Sequence, residues 1–162
     1  MRPEPSLQHL THFLIAAKQQ TYAAGGSGSA AVVTPLIPGS HQLEYRQGDL
    51  LYRDIYFGEA RFAGQEVVYF RHTPIWSMCY AGGWTNSLEG PEEAIRLAGI
   101  IQAALRQVPG DMPYRGPSHY FEAPYAYHNE ARGALHRFEG GETIQRDGVV
   151  LYQLFYTGGS LD

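Results

Sequence analysis

The chain has 162 residues, 44% hydrophobic and 17% charged, enough to bury roughly 70% of its unfolded surface as one domain and too apolar for a disordered tail. Twelve Lys+Arg against sixteen Asp+Glu give a net charge of −4, which excludes sequence-independent nucleic-acid binding, since that needs clustered cations against phosphate. No apolar run nears the ~20 residues of a membrane span, Met1 to Pro5 lacks the apolar core of a signal peptide, and the single cysteine, Cys79, leaves no intramolecular disulfide and no multi-cysteine zinc site. The expectation is a cytoplasmic protein, residues 1–162 forming one domain, with no membrane or nucleic-acid partner.

In chain order, the first element is a helix. Leu7, Leu10, Leu14 and Ala17, with Phe13 alongside, recur at helical spacing after Pro5-Ser6. It carries Lys18, the only lysine beside eleven arginines. It fades near Tyr22 into Gly25-Gly26-Ser27-Gly28-Ser29, a linker composition with no following lysine to make a phosphate loop. Strand-like runs follow at Leu50 to Phe57, Glu66 to Phe70 and Ile75 to Tyr80. A second helix places Ala94, Leu97, Ala98, Ile101, Ala104, Leu105 and Val108 on one stripe. Pro91 sits in its first turn, Glu92 and Glu93 at the positive end of its dipole, and Pro109-Gly110 stops it. Further strands read at Tyr125 to Asn129, Glu142 to Gln145 and Val149 to Tyr156, with Asp147-Gly148 as a hairpin turn.

The strongest pattern is a repeat. Tyr52-x-Asp54, Gly58, Phe62-x-Gly64-x-Glu66, Trp76, Tyr80 and Gly82-Gly83 return as Tyr127-x-Asn129, Gly133, Phe138-x-Gly140-x-Glu142, Tyr152, Tyr156 and Gly158-Gly159. Only the turn between Gly and Phe differs, by one residue. A Ser-His pair, Ser40-His41 or Ser118-His119, precedes each copy. The expectation is an α+β fold with pseudo-repeats at about 6–83 and 91–159. Each would be a helix, an irregular lead-in and an antiparallel meander. The meanders would combine into one antiparallel sheet, with both helices on one face.

Residues 36–83, with His41, Leu43-x-Tyr45, Tyr52-x-Asp54-x-Tyr56-x-Gly58, Phe62-x-Gly64-Gln65-Glu66 and Pro74-x-Trp76-x-Met78-x-Tyr80, resemble an uncharacterised bacterial family of domains of unknown function. Pro113-Tyr114-Arg115-Gly116-Pro117 and Phe138-x-Gly140-x-Glu142 extend the likeness over most of the chain. Members stand alone or behind helix-turn-helix regulators of the xenobiotic-response type. The resemblance implies at most a sensor-like role and brings no activity, cofactor or catalytic residue. In broad architecture the pattern is also similar to duplicated strand-helix-strand-strand folds that bind effectors in a central cleft.

Strand alternation puts Tyr52, Asp54 and Tyr56 on one face, with Glu66, Trp76 and Tyr80. Glu142 and Tyr152 are their counterparts in the second copy. These eight residues are the candidate ligand-binding set. Glu66 and Glu142 read either as carboxylates in an aromatic cavity or, because both copies hold one, as structural groups that accept backbone N–H bonds in a bulged turn or pair with an arginine such as Arg53 or Arg115. Asp54, replaced by Asn129 in the second copy, is the better functional candidate. Arg115-Gly116-Pro117 reads as a capped surface turn. Cys79, on the face away from Trp76, reads as a buried, inert thiol. The seven histidines hold no ligand spacing, so no metal or cofactor is expected; His41 and His119 read as turn residues or pocket rims.

The leading expectation is a small-molecule-binding or sensory domain with an aromatic, carboxylate-bearing cavity where the units meet. The alternatives are a small hydrolase- or isomerase-like enzyme using Asp54 or Glu66 as general acid or base, with no catalytic residue assigned, and a protein-interaction domain. The balance leans against an enzyme. A sheet edge beside Gly158-Gly159 is open to pairing in a homo-oligomer.

Overall fold

Residues 5–25 and 31–162 are described by the structure, a computed structural model. Of the Gly-Ser linker of the sequence reading, 25–29, Gly25 caps the short turn after the first helix and 26–29 lie outside the described residues. Helix α1 (Leu7–Gln20) starts where the Ser6 side chain accepts a hydrogen bond from the His9 amide at 3.2 Å, a standard N-cap. It ends at Thr21, whose amide and hydroxyl both donate to the Ala17 carbonyl. A short 3-10 turn, Tyr22–Ala24, follows.

Four strands come next: β1 (His41–Gln47), β2 (Leu50–Gly58), β3 (Arg61–Phe70) and β4 (Thr73–Trp84). Helix α2 (Pro91–Leu105) leads the second set, β5 (His119–Glu122), β6 (Tyr125–Ala134), β7 (Arg137–Arg146) and β8 (Val149–Ser160). All eight form one antiparallel sheet in the order β1-β2-β3-β4-β8-β7-β6-β5. The fold is thus mixed, two helices with a mostly β chain. Unlike a strand-helix-strand-strand unit, each helix precedes all four of its strands.

Two strands depart from the sequence reading. The lead-ins holding His41 and His119 are β1 and β5, the outer strands of the sheet. β5 is only four residues long, and β1 is interrupted by polar residues at most positions, which hides both. The proposed open edge beside Gly158-Gly159 is corrected: β8 is central, with Gly158 paired to both Met78 and Phe138. The free margin of β1 is partly covered, because Val33 donates to the Gln42 carbonyl and Glu44 to that of Ala31.

One face of the sheet and both helices share a single core. Tyr52, Val68, Trp76, Met78, Ile144 and Leu154 pack with Leu10, Phe13 and Leu14 of α1 and Leu97, Ile101 and Ala104 of α2. The opposite face has no covering layer, so Gln65, Gln153 and Phe155 are exposed there. Cys79 shares that face and is exposed, which corrects the buried-thiol reading. The hairpin turns Arg71-His72 and Asp147-Gly148 both have two consecutive positive φ values, as primed turns require. Each half also has one register shift, at Val68/Tyr69 and at Ile144/Gln145.

Candidate functional site

The Phe-x-Gly-x-Glu segments run along β3 and β7. Gly64 lies opposite Tyr80, and a Cβ at Gly64 would stand 2.5 Å from the Tyr80 Oη and 2.6 Å from the Tyr56 Cβ. Only glycine lets the Tyr80 ring lie across β3. The phenol then donates to Asp54 Oδ1 at 2.7 Å. Gly140 makes the same room for Tyr156, whose phenol donates to Asn129 Oδ1 at 2.8 Å. Asp54 pairs with Glu66 across β2 and β3, and Asn129 with Glu142 across β6 and β7.

In the second half the carboxylate is enclosed by its partners. Glu142 is 1% exposed and takes both arms of Arg115, at 3.1 Å from Nε and 2.5 Å from Nη2. It also accepts from the Tyr127 phenol at 2.5 Å and the Tyr152 phenol at 2.8 Å. Burial alone would raise this carboxyl, but Arg115 and the two phenols outweigh it and hold it below the usual carboxylate range. The Asn129 amide nitrogen donates to the Gly116 carbonyl at 2.8 Å, so both polar atoms of that side chain have a partner.

The first half solves the same problem differently. Glu66 takes its cation from α1, with Lys18 Nζ 2.5 Å from Oε2 and both side chains buried. Burial pulls the Lys18 ammonium below the ordinary lysine range, with Glu66 opposing that pull. Asp54 is 5% exposed, yet no ion pair among the described residues includes it. Burial first, and the Glu66 charge second, push its carboxyl up to about 7. The Tyr80 hydrogen bond and the charges of Lys18 and Arg115 act in the other direction.

These groups border a cavity of about 590 Å³ between the helices and the first half of the sheet. Ala94 and Ala98 of α2 line it, and their short side chains leave the space open. Of the sequence candidates, Tyr52, Asp54, Tyr56, Glu66, Tyr80 and Tyr152 form its wall. Trp76 and Glu142 do not. Trp76 is fully buried, donates Nε1–H to the Leu135 carbonyl at 3.1 Å and stacks on Phe138. Glu142 sits behind Arg115, which does reach the wall.

Of the arginines named from sequence as partners for Glu66 and Glu142, Arg115 does pair with Glu142, whereas Arg53 pairs with Glu44 and Glu66 takes a lysine instead. Arg115 is buried and not part of a surface turn. Sequence reasoning missed Lys18 and Tyr22 as wall residues. For Lys18 a signal existed, since it continues the Leu10, Leu14 spacing of the buried helix face. His41 also lines the cavity and stacks on Tyr56, with ring centres 4.9 Å apart. Its counterpart His119 meets His128 instead.

Among the described residues no three His, Cys, Asp or Glu side chains converge as metal ligands. No helix there is long and apolar enough to cross a membrane. No curated protein and no solved structure matches the chain. A family model described as a domain of unknown function, DUF5680, matches residues 54–161. That stretch holds Asp54, Glu66, Arg115 and Glu142, while Lys18 and Tyr52 precede it. With two thirds of its length matched, the chain belongs to the DUF5680 family of domains of unknown function.

Proposed function

We propose that the protein is a small-molecule-binding domain of sensory type, acting in the cytoplasm, with its ligand held between α1, α2 and strands β2 to β4. One observation carries the reading. Asp54 stands at the wall of an aromatic cavity with no ion-pair partner among the described residues, whereas its counterpart Asn129 is bonded to the backbone. The volume, about 590 Å³, falls in the range of ligand pockets, and apolar walls with a few convergent polar groups are their usual makeup. Tandem duplication belongs to the same proposal. The shared spacings, the matched pairs Asp54–Glu66 and Asn129–Glu142, and the equivalent register shifts support it. On this view one copy kept a saturated ion cluster and the other holds the ligand.

An acid–base enzyme is the second reading. The Asp54 carboxyl, pushed up to about 7 beside the Tyr80 phenol, favours it. The discriminating experiment is a thermal-melt screen of a metabolite collection against wild type and Ala98→Phe, which fills the cavity from α2. Ligand-induced shifts should appear in wild type and vanish in the variant. Shifts that survive Ala98→Phe, or none in wild type, would refute the cavity. Any stabilising compound is then followed by NMR, where turnover would favour the enzyme.

A further inference from the structure

We propose that the cavity recognises an organic monocation with a flat aromatic body, its charge seated against Asp54 and its body against tyrosine rings. The inference rests on the ligand-binding reading above and adds the ligand's charge. The first support is a charge count made from contacts. At and directly behind the cavity wall, three buried carboxyl groups, Asp54, Glu66 and Glu142, share two buried cations, Lys18 and Arg115, while the fourth buried carboxyl among the described residues, Glu93, pairs elsewhere with Arg146. Arg115 is committed to Glu142 through both Nε and Nη2, and Lys18 to Glu66. Asp54 is the carboxyl left over. A buried carboxylate without a counter-charge is costly, and an entering cation removes that cost.

The second support is the wall. Tyr80 occupies one acceptor site of Asp54, and a carboxylate has more to offer. Tyr22, Tyr56 and Trp84 also face the cavity, and aromatic faces attract cations. The two wall cations, by contrast, already have carboxylate partners. The second half shows that the fold does not need this acid: Asn129 fills the matching position with both its amide nitrogen and its oxygen hydrogen-bonded.

Proton linkage follows. Asp54 is faced by Glu66 from β3, Tyr80 from β4, Lys18 from α1 and Arg115 from the segment before β5. Tyr52 and Tyr56 flank it on β2, Tyr22 faces it from the 3-10 turn, and His41 of β1 stands at the cavity wall. Without a cation, Asp54 keeps its proton near neutral pH; a bound cation displaces it. Affinity for a permanent cation should therefore rise about tenfold from about pH 6 to about pH 8, as one carboxyl titrating near 7 requires.

The test is calorimetric titration of the full chain with three matched probes: a naphthylmethyl-trimethylammonium ion, naphthylmethanol and naphthylacetate. The ammonium should bind wild type at least tenfold tighter than the alcohol at about pH 8, with the preference shrinking toward about pH 6. In Asp54→Asn the ammonium-to-alcohol ratio should fall to about one and lose its pH dependence. Ala98→Phe, a fold control that leaves Asp54 in place, should weaken both probes alike. The alcohol or the acetate matching the ammonium in wild type overturns the cation inference and leaves the cavity standing. A preference that survives in Asp54→Asn overturns it too. If none of the three binds, the inference fails; the metabolite screen then decides separately whether ligand binding falls with it.

Discussion

Asp54 shows how much one atom changes. Its repeat partner Asn129 has an amide that donates to Gly116, and Asp54 has an oxygen there. In the folded protein its carboxyl is pushed from 3.8 to about 7 by burial and Glu66. Between those values the folded state holds a proton that the unfolded chain has lost. This contribution therefore favours folding in acid and is lost as pH rises through about 7. Glu142 has the opposite sign, its stabilisation lost as pH falls through its lowered value. Asp54→Asn lacks the first titration. Thermal melts should show the variant gaining on wild type between about pH 5 and about pH 8, ending ahead by on the order of a few kcal/mol. Parallel curves would show that Asp54 is an ordinary strand residue. Gly64 is the second residue-scale lever. Gly64→Ala should expel the Tyr80 ring from Asp54, destabilise the fold by about 1–3 kcal/mol and shift the Tyr80 ring resonances in NMR.

At the scale of elements, each helix is fastened to the sheet by an ion contact, buried for α1 and part-buried for α2, as well as by apolar packing. The Glu93 carboxylate of α2 accepts from Arg146 Nη1 at 2.5 Å, the Tyr125 phenol at 3.1 Å and the Glu89 amide at 2.7 Å. Helix α1 is fastened through Lys18 and Glu66. Removing one member of a buried pair leaves the other charged and unpaired, so Lys18→Met should cost about 3–5 kcal/mol in urea unfolding. Lys18→Met combined with Glu66→Gln should recover at least half of that. Equal costs for the single and double variants would mean that the pair is not coupled. The two primed hairpin turns give a simpler contrast. Asp147-Gly148 has glycine at its second position, while His72 holds a φ of 74° in the matching turn. His72→Gly should stabilise the protein by about 1 kcal/mol, read as a higher urea midpoint.

For the whole molecule, the decisive contact is the antiparallel pairing of β4 with β8, which sets Tyr80 opposite Tyr156. It joins two four-strand meanders into one sheet and lets both helices share one core. If the halves are copies, β8 alone presents the edge that β4 presents. Residues 86–162 expressed by themselves should then pair through β8 and elute as a dimer in light-scattering chromatography. An unfolded monomer would show that the second half depends on contacts particular to the first.

Local physics made much of this legible without coordinates. Period-two alternation sorted Tyr52, Asp54, Tyr56, Glu66 and Tyr80 onto one face. Ser6, Pro91 and the turn at Asp147-Gly148 marked where elements begin or reverse. These signals act over a few residues, so a single sequence displays them. Which cation meets which carboxylate is another matter. Lys18 lies 48 positions from Glu66 and Arg115 lies 27 from Glu142, and only the docking of α1 and of the loop before β5 makes those pairs. The same holds for Trp76 and Tyr152, equivalent in the repeat, one enclosed in the core and the other at the cavity wall. Alternation determines the face of the sheet. Where the helices leave space above that face is a property of the packed whole, because it depends on every side chain that fills the rest.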